Sequence, residues 1–166
     1  MSISFTDPEN IRPSKKQLYI CRGVSGSGKS TLIEKITKNL KDFIVCSADH
    51  YFIKNGEYIF NVTQLGEAHR LCQLKAAKAM KENVPIVIID NTNLKYWEMK
   101  FYIRTAKQFG YNVNVLQIHT DISLILERQT LGKNVPRETI LNMFNKLENS
   151  SLPEDITQNT IHIKGE

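Results

Sequence analysis

Nine consecutive residues, Gly23-Val24-Ser25-Gly26-Ser27-Gly28-Lys29-Ser30-Thr31, fit the pattern G-x-x-x-x-G-K-[ST] at every required position. Each residue type answers a need of a bound polyphosphate. The glycines let main-chain amides close on phosphate oxygens, where a Cβ would block the approach or forbid the dihedrals. Lys29 reaches the β- and γ-phosphates as a point charge, and the Ser30 hydroxyl is a ligand for magnesium. Gly23, Ser25, Gly26, Ser27, Gly28, Lys29, Ser30 and Thr31 are therefore the candidate cofactor-binding set. A dinucleotide pattern, G-x-G-x-x-G, fails at its third glycine, which is Thr31. The loop calls for a nucleoside triphosphate, ATP with Mg²⁺.

Two carboxylates complete the chemistry. Asp49 and Asp90 each follow an apolar run, Phe43-Ile44-Val45-Cys46 and Ile86-Val87-Ile88-Ile89. Aspartates at strand ends beside a phosphate loop suit phosphoryl transfer, one orienting an acceptor hydroxyl and the other serving the metal. With a pKa of ~3.9 an aspartate is a poor base toward an alcohol in the ground state. In a loose transition state the proton leaves late, and alignment counts for more. Either aspartate taken alone fits a helix or turn cap equally well.

The elements that must position these residues follow from hydrophobic periodicity. Residues 18–21, 43–46, 86–89, 113–118 and 160–164 read as strands; 86–89 is the strongest and is expected at the centre. The 43–46 run is expected to be buried on both faces. Leu32, Ile33, Ile36 and Leu40 mark a helix after the loop, and Leu65, Ala68, Cys72, Ala76 and Ala79 a second over 63–82. Met99, Ile103, Ala106 and Phe109 stripe a third, closed by Gly110, and Asp121 is placed to cap a fourth over 122–129. Ile140, Met143, Phe144 and Leu147 mark a fifth. Tyr51, Phe52, Tyr58 and Phe60 surround an Asn55-Gly56 turn whose wider conformation the pattern leaves open. Strands alternating with helices predict an α/β fold, a mostly parallel five-stranded sheet in a three-layer α/β/α arrangement, with ligands at the strands' carboxyl ends.

At 166 residues, 41% of them hydrophobic, the chain makes one domain, 17–166, behind a polar leader, 1–16, expected to be loosely held. The net charge of +5 mildly favours a polyanionic partner. Cys21, Cys46 and Cys72 lack metal-ligand spacing and read as small core hydrophobes in a reducing compartment. Without a membrane-length apolar run or a signal-peptide core, the expectation is no membrane and an intracellular location, cytoplasmic or nuclear.

The block Val87-Ile88-Ile89-Asp90-Asn91-Thr92-Asn93-Leu94, followed by Trp97-Glu98-Met99-Lys100, resembles the P-loop kinase domain of the NEDD-four-binding-protein-two-like family. Ser47-Ala48-Asp49 and the stretch from Tyr58-Ile59-Phe60 to Ala68-His69 strengthen the likeness, which spans about residues 17–149. That family stands with the polynucleotide 5′-hydroxyl kinases. The resemblance implies a kinase-type P-loop NTPase with strand order 2-3-1-4-5 and a helical lid over about 128–137. It implies that Lys29 and Ser30 serve ATP and magnesium, that Asp49 activates the acceptor, and that Asp90 lies beside the metal. Asn91, Thr92 and Asn93 would line the acceptor site, and Arg128 would be the first lid cation, with Lys133 or Arg137 as the second. The pattern departs at Phe52, where the phage end-healing kinase has a phosphate-gripping arginine. Catalysis would thus rest on Lys29, Asp49 and Arg128, and the metal on Ser30 and Asp90.

Other residues divide between packing and contact. Tyr51 and Phe52, next to Asp49, are candidates to stack a base. His69, Tyr96 and Trp97 read more readily as packed side chains, and the row Lys75, Lys78 and Lys81 as a solvated face. The sequence reading is an ATP-dependent phosphotransferase acting on the 5′-hydroxyl of a polynucleotide. A small-alcohol kinase and a nucleotide-binding adaptor are the alternatives.

Overall fold

The computed structural model describes residues 3–131 and 134–166. Five strands, β1 (Gln17–Arg22), β2 (Phe43–Cys46), β3 (Ile86–Asp90), β4 (Asn112–His119) and β5 (Thr160–Lys164), pair in the order β2-β3-β1-β4-β5. Every pairing is parallel. Among the described residues six α-helices accompany the sheet: α1 (Lys29–Thr37), α2 (Leu65–Lys81), α3 (Tyr96–Phe109), α4 (Ile122–Gln129), α5 (Arg137–Glu148) and α6 (Glu154–Gln158).

Side chains alternate across a strand, so each strand feeds two cores. Leu18, Ile20, Val87, Ile89 and Val115 pack with Cys72, Ala76 and Met80 of α2, Met99, Tyr102 and Ile103 of α3, and Ile156 of α6. Tyr19, Cys21, Ile86, Ile88, Leu116 and Ile118 face the other way, onto Leu32, Ile33 and Ile36 of α1. Burial on both faces is why β3 reads as an unbroken apolar run. Truncating a wholly buried core side chain such as Met99 to alanine costs about 2–5 kcal/mol.

Three expectations are corrected. Among the described residues β2 is an edge strand paired only with β3, and its Phe43 is 37% exposed; Ile44 and Cys46 join one core and Val45 the other, but only Cys46 is fully buried. The leader is docked: Phe5 bridges to His162, the Thr6 amide donates to the His162 carbonyl at 2.8 Å, and Ile11 is buried beside α1. Pro8–Asn10 forms a turn of 3-10 helix capped by the Asp7 carboxylate. Asp121 sits at the start of α4, but its side chain makes no capping bond. The α6 turn gave no periodic signal because it is only five residues long.

On the α3 side of the sheet, the rings of His119 and His162 share a hydrogen bond, with Nε2 and Nδ1 2.8 Å apart. Phe5 lies edge-on to His119. Burial, with Arg22 nearby, lowers both histidines below the ordinary value of 6.5, and His162 further lowers His119. The unfolded chain therefore binds more protons below that value, so stability falls as the pH drops through it. Thermal melts at pH 7.5 and 5.5 should show a larger acid loss for the native chain than for a His119→Gln/His162→Gln variant. Equal losses would show that the pair carries no linkage.

Candidate active site

β1 delivers its carboxyl end directly into the phosphate loop. The Gly23 amide donates to the Thr92 carbonyl at 3.0 Å, and the Ser27 amide to the Val24 carbonyl at 3.0 Å, which closes the turn. Gly26 and Gly28 have φ of 84° and 109°, a region that L side chains avoid. A Cβ at Gly26 would also lie 2.5 Å from Gln129 Nε2. Three consecutive carbonyls are held by donors outside the loop. Gln129 Nε2 donates to Ser25, Arg128 Nη1 to Gly26 at 2.8 Å, and Thr120 Oγ1 to Ser27 at 2.7 Å. In a planar trans peptide the next amide points opposite to the carbonyl, so those of Gly26 and Gly28 are turned away from these donors. Lys29 Nζ donates to the Gly23 and Val24 carbonyls at 2.9 and 3.1 Å, which folds the ammonium over the loop.

Gly28 caps α1 without a side chain, so no side-chain acceptor competes for the helix's first amides. The amides of Lys29, Ser30 and Thr31 have no carbonyl within the helix, and the dipole adds its positive end. Ser27 Oγ is buried without a hydrogen-bond partner among the described residues. The loop is thus built for an anion. The candidate metal donors are the exposed Ser30 hydroxyl and the Asp90 carboxylate, hard oxygens of the kind magnesium takes. In the residues present, ATP and Mg²⁺ find a fitting cradle.

The adjacent strand ends carry the carboxylates. Asp90 is the last residue of β3, in register with Cys21 of β1. The buried Cys21 thiol feels both Asp90 and Lys29, which places these two groups at the same strand end; its pKa is raised, chiefly by burial. Asp49 stands in a 3-10 turn, Ala48–Phe52, after β2, with its amide on Ser47 Oγ. Tyr58 Oη donates to Asp49 Oδ1 at 3.1 Å. Burial and this carboxylate push the Tyr58 pKa up to about 12, so the phenol stays a donor through the neutral range. His50 feels Asp49 and Asp90 as well, but burial and Lys75 outweigh them and lower its pKa.

The block after β3 is mostly scaffold. Asn91 Oδ1 accepts from the Ala48 amide at 2.9 Å, which ties the β2 and β3 ends together. Asn93 is 2% exposed, at a φ of 47°, with Nδ2 on the Cys21 carbonyl at 2.8 Å. The expectation that Asn93 meets substrate is therefore corrected: its amide is spent on the backbone. Thr92 is half-buried, its carbonyl holding Gly23. Phe52 is corrected too, since at 1% exposure, packed with Ala48 and Ala68, it has no face for a base. Tyr51 keeps a half-buried ring beside it.

Arg128 reaches the loop through its bond to the Gly26 carbonyl. Arg137 is exposed at the start of α5, and Lys133 lies outside the described residues. His69 is half-buried, and Tyr96 packs against the core, but Trp97 is 70% exposed, contrary to its reading as a packed residue. Lys75 is exposed as expected, yet its ammonium binds the Val45 carbonyl at 2.9 Å.

Four positioning residues escaped the sequence reading: Tyr58, Thr120, Gln129 and Arg22. Arg22 is 3% exposed, and its guanidinium holds the carbonyls of Asn93 and Leu94, Gln117 Oε1 and the Ser150 hydroxyl. Its signal was a charged residue closing an otherwise apolar strand. Gln129 is 7% exposed and also accepts from the Val135 amide at 3.2 Å, so it joins the loop to the linker before α5. Gln129→Leu keeps the volume and removes these bonds, a loss of about 1–3 kcal/mol. Denaturant melts should show that loss, and titration with Mg-ATP should show roughly tenfold weaker binding. Unchanged affinity would mean that the loop holds its shape without Gln129.

Comparison with known proteins agrees with this geometry. A family model described as "AAA domain" matches residues 18–148. Human NEDD4-binding protein 2 is 42% identical over 96 residues, 58% of this chain and 5% of the relative. The 2′,3′-cyclic-nucleotide 3′-phosphodiesterase of Pongo abelii is 32% identical over 106 residues, 63% of this chain and 24% of the relative. The chain thus spans less than a quarter of the length of either. Among solved structures, a gluconokinase from Sinorhizobium meliloti 1021 superposes with a TM-score of 0.60 at 17% identity, covering 90% of this chain and 83% of its own. A chain of the Pnkp1/Rnl/Hen1 RNA repair complex gives 0.67 at 15%, covering 84% and 46%. With the family model spanning most of its length, this chain belongs to the AAA domain family, and it shares its fold with the gluconokinase.

Proposed function

We propose that the protein is an ATP-dependent phosphotransferase whose acceptor is the 5′-hydroxyl of a polynucleotide. The observation that carries this reading is the Asp49 carboxylate, fixed by Tyr58 at one strand end while Asp90 and the phosphate loop occupy the next two. Lys29 and the amides of the loop bind the phosphate tail. Arg128 rests on the Gly26 carbonyl; as a lid cation it would leave that carbonyl to offset charge on the transferring phosphoryl group. Asp49 orients the acceptor hydroxyl and takes its proton as that oxygen bonds the γ-phosphorus and the bond from the γ-phosphorus to the β–γ bridging oxygen breaks, with ADP leaving. Ser30, with Asp90 beside it, would hold magnesium, which would supply neutralisation of the phosphate charge.

The polynucleotide acceptor draws support from the net charge of +5 and from relatives named for a cyclic-nucleotide phosphodiesterase and an RNA repair complex. A small polyol acceptor is favoured by one observation, the gluconokinase structure that matches nearly end to end. The two separate on incubation with labelled Mg-ATP and a 5′-hydroxyl oligonucleotide, its 5′-phosphorylated control and a panel of sugars. Label should pass only to the unblocked oligonucleotide. Transfer to a sugar alone would overturn the acceptor assignment, and no transfer at all, with ATP bound, would leave a nucleotide-binding module. Asp49→Asn should keep ATP affinity and lower kcat by ~10²-fold or more, whereas Lys29→Ala should weaken ATP handling. Full activity in Asp49→Asn would remove Asp49 from the reaction.

A further inference from the structure

The segment after Asp49 folds into a small hairpin, in which Ile53–Lys54 pairs with Glu57–Tyr58 across Asn55 and Gly56. Both turn residues have positive φ, 52° and 81°, as a tight two-residue hairpin turn requires. The hairpin and the residues after it do something costly: Tyr58, Ile59 and Phe60 are 41%, 53% and 51% exposed. Large apolar side chains left together in water mark a surface with a use. The rings of Tyr58 and Phe60 lie within 11° of parallel, with centroids 6.5 Å apart. Beneath them the wholly buried Phe52 touches both, at 6.2 and 5.0 Å between centroids, and the Ile59 amide is bonded to the Phe52 carbonyl at 2.8 Å. The two exposed rings are thus propped on a fixed base.

From this arrangement we infer that Tyr58 and Phe60 form a stacking platform for the terminal base of a single-stranded acceptor. The inference rests on the 5′-hydroxyl reading above and adds what that reading lacks, the feature that selects an unpaired end. Position argues for a base. Tyr58 carries both functions: its hydroxyl holds Asp49 and its ring belongs to the platform. Whatever lies on that ring is joined closely to the hydroxyl that Asp49 orients, and in a nucleotide that group is the base. Every base has a π-face, so such a platform accepts any sequence. Lys54 on the hairpin stands over the Tyr51 ring at 6.0 Å, with Glu57 as its cross-strand partner, so one cation is at hand for a phosphate without a net basic patch. A base paired in a duplex end is held by its pairing edge and by stacking on its inner neighbour, so it cannot swing onto the rings as an unpaired base does, and single strands are preferred.

The test is direct binding, read apart from catalysis. Ribo- and deoxyribo-oligonucleotides with a 5′-hydroxyl and 2-aminopurine as the terminal base are titrated with the full chain, and fluorescence quenching reports stacking. Quenching is expected, about tenfold weaker in Phe60→Ala and restored in Phe60→Trp. An abasic terminal nucleotide should lose affinity by a similar factor. Tyr58→Phe keeps the ring and should leave the affinity unchanged, while kcat falls because Asp49 loses its donor. No quenching, or an affinity indifferent to both Phe60→Ala and the abasic end, overturns the platform even where label still passes to the oligonucleotide. A chain that sediments as a dimer, and as a monomer once Phe60 is alanine, would assign the patch to a second copy and overturn it as well. Ring-dependent quenching without any phosphoryl transfer would uphold the platform and defeat the kinase reading.

Discussion

The planarity of three peptide bonds underlies the site. A main-chain loop has one donor and one acceptor per residue, and it binds an anion only if the donors converge. Here that outcome is set from behind, by Gln129, Arg128 and Thr120 on the carbonyls of Ser25, Gly26 and Ser27. With those carbonyls engaged, the amides of Gly26 and Gly28 have only one direction in which to point, while that of Ser27 closes the turn on Val24. The glycines permit the shape, but the carbonyl partners select it. Two of the three partners are consecutive residues at the end of α4 and the third lies just before that helix, so one short element holds the whole loop.

The same economy holds at the acceptor side. Asn91 ties β2 to β3, Asn93 ties β3 to β1, and Arg22 braces the chain leaving β3 from below. Three polar side chains, two of them almost wholly buried, therefore fix the relative heights of the strand ends that bear Asp49, Asp90 and the phosphate loop. Each is stable in an apolar setting because its donors meet carbonyls or neutral side chains.

Much of this was legible in the sequence. The phosphate loop announced itself because its glycines and lysine are fixed at short range. The five strands and all the covering helices but α6 were readable, the inner strands as apolar runs, the last strand by its alternation and the helices as stripes. Contacts between residues distant in the chain were not readable. Gln129 meets Ser25 across 104 positions, and Arg22 meets Leu94 across 72, and no local pattern encodes either. Phe52 and Asn93 misled for a related reason. Proximity to a reactive residue in sequence says nothing about whether a side chain turns toward the ligand or into the core, and both turn inward.

The outer margins of the sheet carry a consequence of their own. An unpaired strand margin is an open invitation to a strand from another molecule, and proteins that stay apart must withdraw it. On one side Phe5 and Thr6 lay a fragment of chain along His162, taking up hydrogen-bonding positions that a stranger would need. On the other, β2 is only four residues long and Lys75 occupies its Val45 carbonyl with a charge. A docked terminus and a single ammonium group thereby discourage this parallel sheet from growing into its neighbours.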